Sequence, residues 1–327
     1  MATMKICLLL AEHCAAANAT LTLEVLGAAN RFSAAAEPPF ACTTASLDGR
    51  SVATFSGQRL AVDAALDDVG PVDLVLIPGF LFTLREALPG FVHYGDWLRR
   101  QHAQGAVLAS MCTASFLLAE SGLLDGRTAT THWAFASLFR RRYPAVRLDE
   151  RLLLCDDGQV VTSGGATAAM DLLQHLLQRL GPPEVAEQCA HHLLVDRVRE
   201  FQAPYALWKP SRGHGDEGVL RVQDWLETHH ALPVSIDALA SRFGFGERQF
   251  KRRFKDATGL APLAYLQALR LEAAKRLLQG SRQSLESITA AVGYEDVSSF
   301  RRLFQREVGL SPSAFREKFR PAATMRP

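Results

Sequence analysis

One cysteine of this 327-residue chain stands where it could act as a nucleophile. In VLASMCTASFLLAESGLL (Val107–Leu124) an apolar run breaks at a tight corner with Cys112 at its tip, and a helical pattern follows. Hydrolytic enzymes often expose a nucleophile at such a strand-to-helix corner. A catalytic thiol also needs a lowered pKa, from a helix N-terminus and a neighbouring base. Cys112 has the helix N-terminus, but the residue after it is Thr113, which is no base. His132 in TTHWAF, at an expected helix start, is the remaining candidate base; a capping role or packing beside Trp133 also fits it. Gly79 and Phe80 end a second apolar run. Glu12 and His13 follow a third run and fit either a pocket wall or a solvated loop. With Cys7, Cys14, Cys42, Cys155 and Cys189 included, no pair has CxxC spacing, so neither a zinc site nor a redox pair is indicated.

A second chemistry lies toward the other end. LASRFGFGERQFKRRFKDATGLAPLAY and ITAAVGYEDVSSFRRLFQREVGLSPSAF are two copies of one pattern. Phe250, Phe254, Gly259, Leu260, Pro262 and Tyr265 match Phe300, Phe304, Gly309, Leu310, Pro312 and Phe315 at an offset of 50. Leu239, Phe243, Gly244 and Phe245 match Ile288, Val292, Gly293 and Tyr294 at 49, so the second copy has one more residue in its turn. Each copy reads helix, glycine turn, helix, the unit whose second helix enters the major groove. At about 100° per residue, Phe250 and Phe254 face inward while Arg248, Lys251, Arg252 and Lys255 face out. In the second copy Phe300 and Phe304 face inward while Ser298, Arg301, Arg302, Gln305 and Arg306 face out. Arg reads guanine edges in bidentate fashion, and Ser contacts groove atoms or phosphate. One basic helix face is commonly just solvated; its recurrence behind two glycine-turned helices favours DNA.

The elements that must position these residues follow two different periods. KICLLLA, FACTTASL, VDLVLIPGF, AVLASM and QVVTSGG read as strands, most of them buried on both faces. LTLEVLGAANRFSAA, GDWLRRQHAQG, the run after Cys112 and ATAAMDLLQHLLQRLG read as helices between and after them. This alternation predicts an α/β domain, a parallel sheet with helices on both faces. Such sheets bind ligands at the carboxyl ends of their strands, where Cys112 and Gly79 fall. From Val219 onward the pattern is all helical, with Ser235 as a candidate N-cap in SIDALASRFG and a similar start in SLESITAAVG. The Pro- and Gly-broken stretch EFQAPYALWKPSRGHGDEG is expected to link the two parts. The expected domains are therefore 1–197, a linker at 198–217, and 218–321. Charge divides along the same line. Residues 1–217 hold 18 Lys/Arg and 23 Asp/Glu, and residues 218–327 hold 18 and 11. An acidic part joined to a basic one suits a nucleic-acid module attached to something else. KICLLLAEH is too short for a signal peptide or a membrane span, so a reduced, cytoplasmic protein without a membrane partner is expected.

SIDALASRFGFGERQFKRRFKDATGLAPLAYLQALRLEAAKRLL and ESITAAVGYEDVSSFRRLFQREVGLSPSAFREKF resemble the AraC/XylS DNA-binding domain over about a hundred residues. The resemblance implies two recognition helices in successive major grooves, with Arg248, Lys251, Arg252, Ser298, Ser299 and Arg302 at base-reading positions. Lys255 and Arg306 extend the two faces. One departure is Gly246, where the family usually begins its first recognition helix with Ser. VDLVLIPGF, LASMCTASFLLAESGLLDGRTATTHW and VVTSGGATAAMDLLQHLL resemble the PfpI-like branch of the class I glutamine amidotransferase-like superfamily. The LLDGRTATTHW run resembles the GlxA-type regulators, in which such a domain precedes an AraC-type one. The resemblance implies sensing of a small metabolite, often a nitrogenous one such as an amino acid or amine, rather than its turnover. It also places Thr113 where proteolytic relatives carry the base, Asn18 where reactive-cysteine relatives carry an acid, Ala114 where Gly is usual, and Phe80 where the oxyanion-forming turn carries a second Gly. The expected protein is a homodimeric regulator, an activator working with RNA polymerase at promoter DNA and needing no metal or cofactor. Cys112, Thr113, Asn18, Gly79, Phe80 and His132 are its expected ligand corner. A Cys112-dependent amidase or hydratase attached to a DNA-binding domain, and a Cys112 redox sensor, remain as alternatives.

Overall fold

The computed structural model describes residues 2–195 and 199–320, and the chain divides into two compact units, Met1–Ala203 and Pro204–Pro327. The domain boundary expected at residues 197 and 198, and the end expected at 321, lie outside the described residues.

The first unit is built from strands β1 (Met4–Leu9), β2 (Phe40–Ser46), β3 (Val52–Ala53), β4 (Arg59–Leu60), β5 (Ala64–Ala65), β6 (Leu74–Ile77), β7 (Val107–Ser110), β8 (Thr128–Ala129), β9 (Arg147–Leu148), β10 (Leu154–Asp157) and β11 (Val160–Ser163). Its helices are α1 (Ala16–Phe32), α2 (Leu84–Ala87), α3 (Gly95–Ala103), α4 (Ser115–Glu120), α5 (Ala136–Arg142), α6 (Ala168–Leu180) and α7 (Pro183–His192). Seven strands form one sheet in the order β10-β11-β7-β6-β1-β2-β5. Its centre is apolar on both faces: Cys7, Leu8, Val75, Leu76, Leu108 and Ala109 are all buried. Every pairing in it is parallel except that of β10 with β11. Only Gly158 and Gln159 separate those two strands, too few for a crossover, so they form a hairpin with Gly158 at φ 72°. The sheet is thus mostly parallel rather than wholly so. Helices α1, α6 and α7 pack on one another in one layer, and α3 with α4 in another. Helix α1 starts five residues before the expected run, because Ala16, Asn18 and Ala19 are buried although they carry no strong apolar signal.

The second unit is helical: α8 (Glu217–His229), α9 (Ile236–Arg242), α10 (Glu247–Thr258), α11 (Pro262–Gly280), α12 (Leu285–Ala291), α13 (Val297–Val308) and α14 (Pro312–Phe319). It holds two apolar cores. One gathers Val222, Leu226, Leu239, Phe250, Phe254 and Tyr265; the other gathers Leu271, Ala274, Leu278, Ile288, Phe300, Phe304 and Phe315. Helix α11 supplies both cores, Tyr265 and Leu266 to the first and Leu271, Ala274 and Leu278 to the second. The sequence repeat is therefore a repeat of core construction. Gly244 and Gly293 make the two turns at φ 74° and 87°, and Gly259 and Gly309 close the two second helices at φ 79° and 78°. A side chain is strained at such angles, which is why glycine recurs there.

The stretch expected to link the domains is divided between the units. Phe201 forms an antiparallel bridge with Leu152 and Gln202 is buried, both in the first unit. In the second, Tyr205 meets the Phe319 ring at 5.2 Å and Trp208 meets Tyr265 at 5.0 Å.

Candidate functional site

The end of β7 delivers Cys112 into a 3-10 turn, Cys112–Ala114, that runs straight into α4. Cys112 has φ 57°, a left-handed angle that costs a non-glycine residue about 1–2 kcal/mol. The corner is packed shut around it. A Cβ on Gly79 would lie 2.8 Å from the Cβ of Cys112 and 3.0 Å from the Met111 carbonyl oxygen, so only glycine fits where the end of β6 passes. The turn N–H groups are engaged. Phe80 N–H donates to Thr113 Oγ1 at 2.8 Å, and Gly79 N–H donates to Asn18 Oδ1 at 3.4 Å. Asn18, in the first turn of α1, donates in turn from Nδ2 to the Ala166 carbonyl at 3.1 Å. Burial pushes the Cys112 thiol up to about 12, outweighing the Thr113 N–H and hydroxyl that pull it down. Cys112, Thr113, Asn18, Gly79 and Phe80 thus come together, and all five are buried.

His132, next in sequence to Thr131, is half-buried. It caps the 3-10 turn Trp133–Phe135, with Nδ1 accepting from Ala134 N–H at 3.2 Å, and its ring lies 5.3 Å from that of Trp133. Burial lowers its pKa to about 4. The imidazole is therefore neutral near pH 7, with its proton on Nε2. Its neighbour Thr131 is the residue that reaches the corner. Thr131 Oγ1 donates to the Cys112 carbonyl at 3.5 Å, and Ser115 Oγ donates to Thr131 Oγ1 at 2.8 Å. Glu12 and His13 serve the neighbouring loop: Glu12 Oε2 accepts from Ala53 N–H at 2.9 Å, and His13 N–H donates to the Ala53 carbonyl at 2.7 Å. Ser115, Thr130, Thr131 and Gln202 are not legible as site residues in the sequence: the first three are small and polar with no periodic signal, and Gln202 lies in the Pro- and Gly-broken stretch. An apolar crevice lies at the opposite, amino ends of the strands, lined by Met4, Ile6, Phe40, Leu74, Leu173 and Leu177 among others.

In the second unit, Phe250, Phe254, Phe300 and Phe304 are fully buried. Arg248, Lys251, Arg252 and Lys255 are exposed on α10, and Ser298, Ser299, Arg301, Arg302, Gln305 and Arg306 on α13. The two faces differ in how they are held. Helix α10 starts at Gly246 without a side-chain cap. Helix α13 starts at Asp296, which accepts from the N–H groups of Ser298 at 3.3 Å and Ser299 at 2.6 Å. Lys251 Nζ pairs with Asp237 Oδ1 of α9 at 2.8 Å, and Arg302 donates to Ser299 Oγ at 2.9 Å.

Comparison with known proteins agrees with both halves. The DJ-1/PfpI family matches residues 4–179, and a helix-turn-helix domain family matches residues 239–318. The chain is 32% identical to the HTH-type transcriptional regulator CdhR of Pseudomonas aeruginosa over 306 residues, covering 92% of this chain and 89% of that one. It is 29% identical to the HTH-type transcriptional regulator GlxA of Rhizobium meliloti over 223 residues, 68% of each chain. A solved AraC family transcriptional regulator from Pseudomonas putida is 25% identical with a TM-score of 0.51, covering 58% of this chain and 99% of that one. All three relatives are transcriptional regulators. With its mostly parallel sheet followed by two glycine-turned helix pairs, the chain belongs to the DJ-1/PfpI family and is a DNA-binding transcriptional regulator with an AraC-type helix-turn-helix domain.

Proposed function

We propose that the first unit binds a small nitrogenous metabolite at the Cys112 corner and forms a homodimer, and that the second reads promoter DNA and activates transcription with RNA polymerase. The observation that carries the DNA reading is the recurrence of one outward polar and basic face on α10 and α13 over two matching phenylalanine cores. Arg248, Lys251, Arg252, Ser298, Ser299 and Arg302 read bases, and Lys255 and Arg306 contact phosphate. Replacing Arg302 with Ala costs about 1–3 kcal/mol on a cognate site and relaxes preference at one base. A gel shift in which Arg302→Ala matched wild type on the selected site and on its single-base variants would refute the placement of α13.

For the metabolite, the buried corner residues form the floor and His132 the rim. The Nε2–H of His132 is a donor left over after Nδ1 has accepted from Ala134, which favours an effector with a carboxylate or other acceptor. The same geometry supports binding over catalysis. The thiol is held protonated, and the Gly79 and Phe80 N–H groups that an oxyanion would need are engaged by Asn18 and Thr113. A thermal-shift screen of amino acids, amines and quaternary ammonium compounds tests the site. The expected hit raises the melting temperature of wild type and of Cys112→Ala alike, and a response that needs the thiol would favour covalent or redox chemistry.

A further inference from the structure

We propose that Gln202 is a latch that couples the Cys112 corner to the segment leading into the DNA-binding unit. Its carboxamide is buried in a seat on the first unit. Nε2 lies 2.7 Å from the Thr131 carbonyl, 3.1 Å from the Leu152 carbonyl and 3.2 Å from Thr130 Oγ1, and Oε1 accepts from Trp133 N–H at 3.2 Å. The backbone is held as well: Gln202 N–H donates to the Arg151 carbonyl, and Leu153 N–H to the Glu200 carbonyl, each at 2.9 Å. The seat has no spare room, because a Cβ on Gly164 would lie 2.6 Å from the Gln202 carboxamide.

One short segment joins this seat to the corner. Thr131 turns its hydroxyl toward the Cys112 carbonyl and Ser115, and its own carbonyl toward Gln202. His132, next in sequence, is the rim of the proposed effector site. A ligand that pulls on His132 or Thr131 must therefore move the main chain that grips Gln202. Ser115, Thr130 and Thr131 are wholly buried, so a broken link is not replaced by bulk water and the shift is costly to absorb locally.

The far side of the latch is close in sequence. Gln202 is held on the first unit, and three residues later Tyr205 is held on the second by Phe319, with Lys318 over its ring. Lys275, itself buried, donates to the Ala206 carbonyl. A second clamp, Arg199 to Asp171 at 2.6 Å, grips α6 and shares no partner with the Gln202 carboxamide. Release of Gln202 would then be confined to a few residues, a local change of the kind that coupling requires. That a metabolite drives it rests on the corner being the effector site; the coupling itself does not.

Hydrogen exchange on the full chain tests it without any ligand. Gln202→Ala, and Gly164→Ala, which fills the seat without altering Gln202, are expected to speed exchange of the backbone amides at positions 202 and 153 at least tenfold. Thr131→Val, which removes only the hydroxyl facing Cys112, is expected to speed the same amides at least threefold. All three are expected to leave β1 and β6 unchanged and to alter affinity for a DNA fragment selected from a random library more than threefold, in one common direction. Wild-type exchange at Gln202 and Leu153 in Thr131→Val would overturn the coupling. So would uniform acceleration through the whole unit, which marks a structural brace, or wild-type DNA affinity in both seat variants. Because the exchange arm uses no metabolite, its failure is separate from failure of the corner as an effector site.

Discussion

A half-buried imidazole and a buried thiol answer desolvation in opposite directions, the base downward and the acid upward. For His132 this has a pH signature. Its folded pKa of about 4 lies below the ordinary 6.5, so between those values the unfolded chain takes up a proton that the folded one refuses. The contribution to stability is full above pH 6.5 and is lost as pH falls toward 4. At about 1.4 kcal/mol per pK unit, reduced for partial exposure, it amounts to on the order of 2 kcal/mol. Chemical unfolding at about pH 7 and about pH 4.5, on either side of the ordinary imidazole pKa, checks this: His132→Gln should lose less stability than wild type on acidification, and an equal loss would remove the assignment. At this scale the sequence is informative where a residue type is distinctive. Cys112 and Gly79 are legible as partners at strand ends. Gln202 is not, because a glutamine in a Pro- and Gly-broken stretch looks like any solvated linker residue until the fold closes over it.

Helix ends are the most legible elements. Ser235 and Ser284 cap α9 and α12 through the N–H groups of Ala238 and Ser287, as a serine before an apolar run suggests. The two-residue strands β3, β4, β5, β8 and β9 are not legible, since a period of two cannot show itself in two residues. Helix α7 is equally faint in the sequence; Val185, Ala186 and Cys189 are its buried face, a weak apolar stripe. The uncapped start of α10 gives a direct prediction. Gly246 has extended backbone angles and open space where a Cβ would go. Gly246→Ser should therefore raise stability by a few tenths of a kcal/mol, read as a higher urea midpoint of the full chain. A lower midpoint would mean that Gly246 is needed for its backbone rather than merely tolerated as a cap.

For the whole molecule, the separation of charge matters more than the net value of +2. The basic excess lies with the helical unit, so DNA affinity should follow counterion release. For roughly six phosphate contacts it falls on the order of a thousandfold between about 50 and 200 mM salt, and a flat response in a fluorescence titration would count against α10 and α13 as the contact surface. The two-part architecture is legible because the hydrophobic period changes along the chain; the tight anchoring of the joining segment is not, because it depends on contacts remote in sequence. Helix α11 carries a last consequence. Its 19 residues wall both cores, so it fixes the phase between the two recognition helices. One residue added to it would advance the second unit by about 100° and about 1.5 Å, whereas one base pair added between half-sites advances DNA by roughly 35°. Three base pairs match one residue in angle but rise roughly 10 Å against about 1.5 Å, so a short insertion in the helix cannot follow an insertion in the operator in both angle and length. Binding to a selected site should therefore suffer more from one base pair inserted between its halves than from one base exchanged within a half.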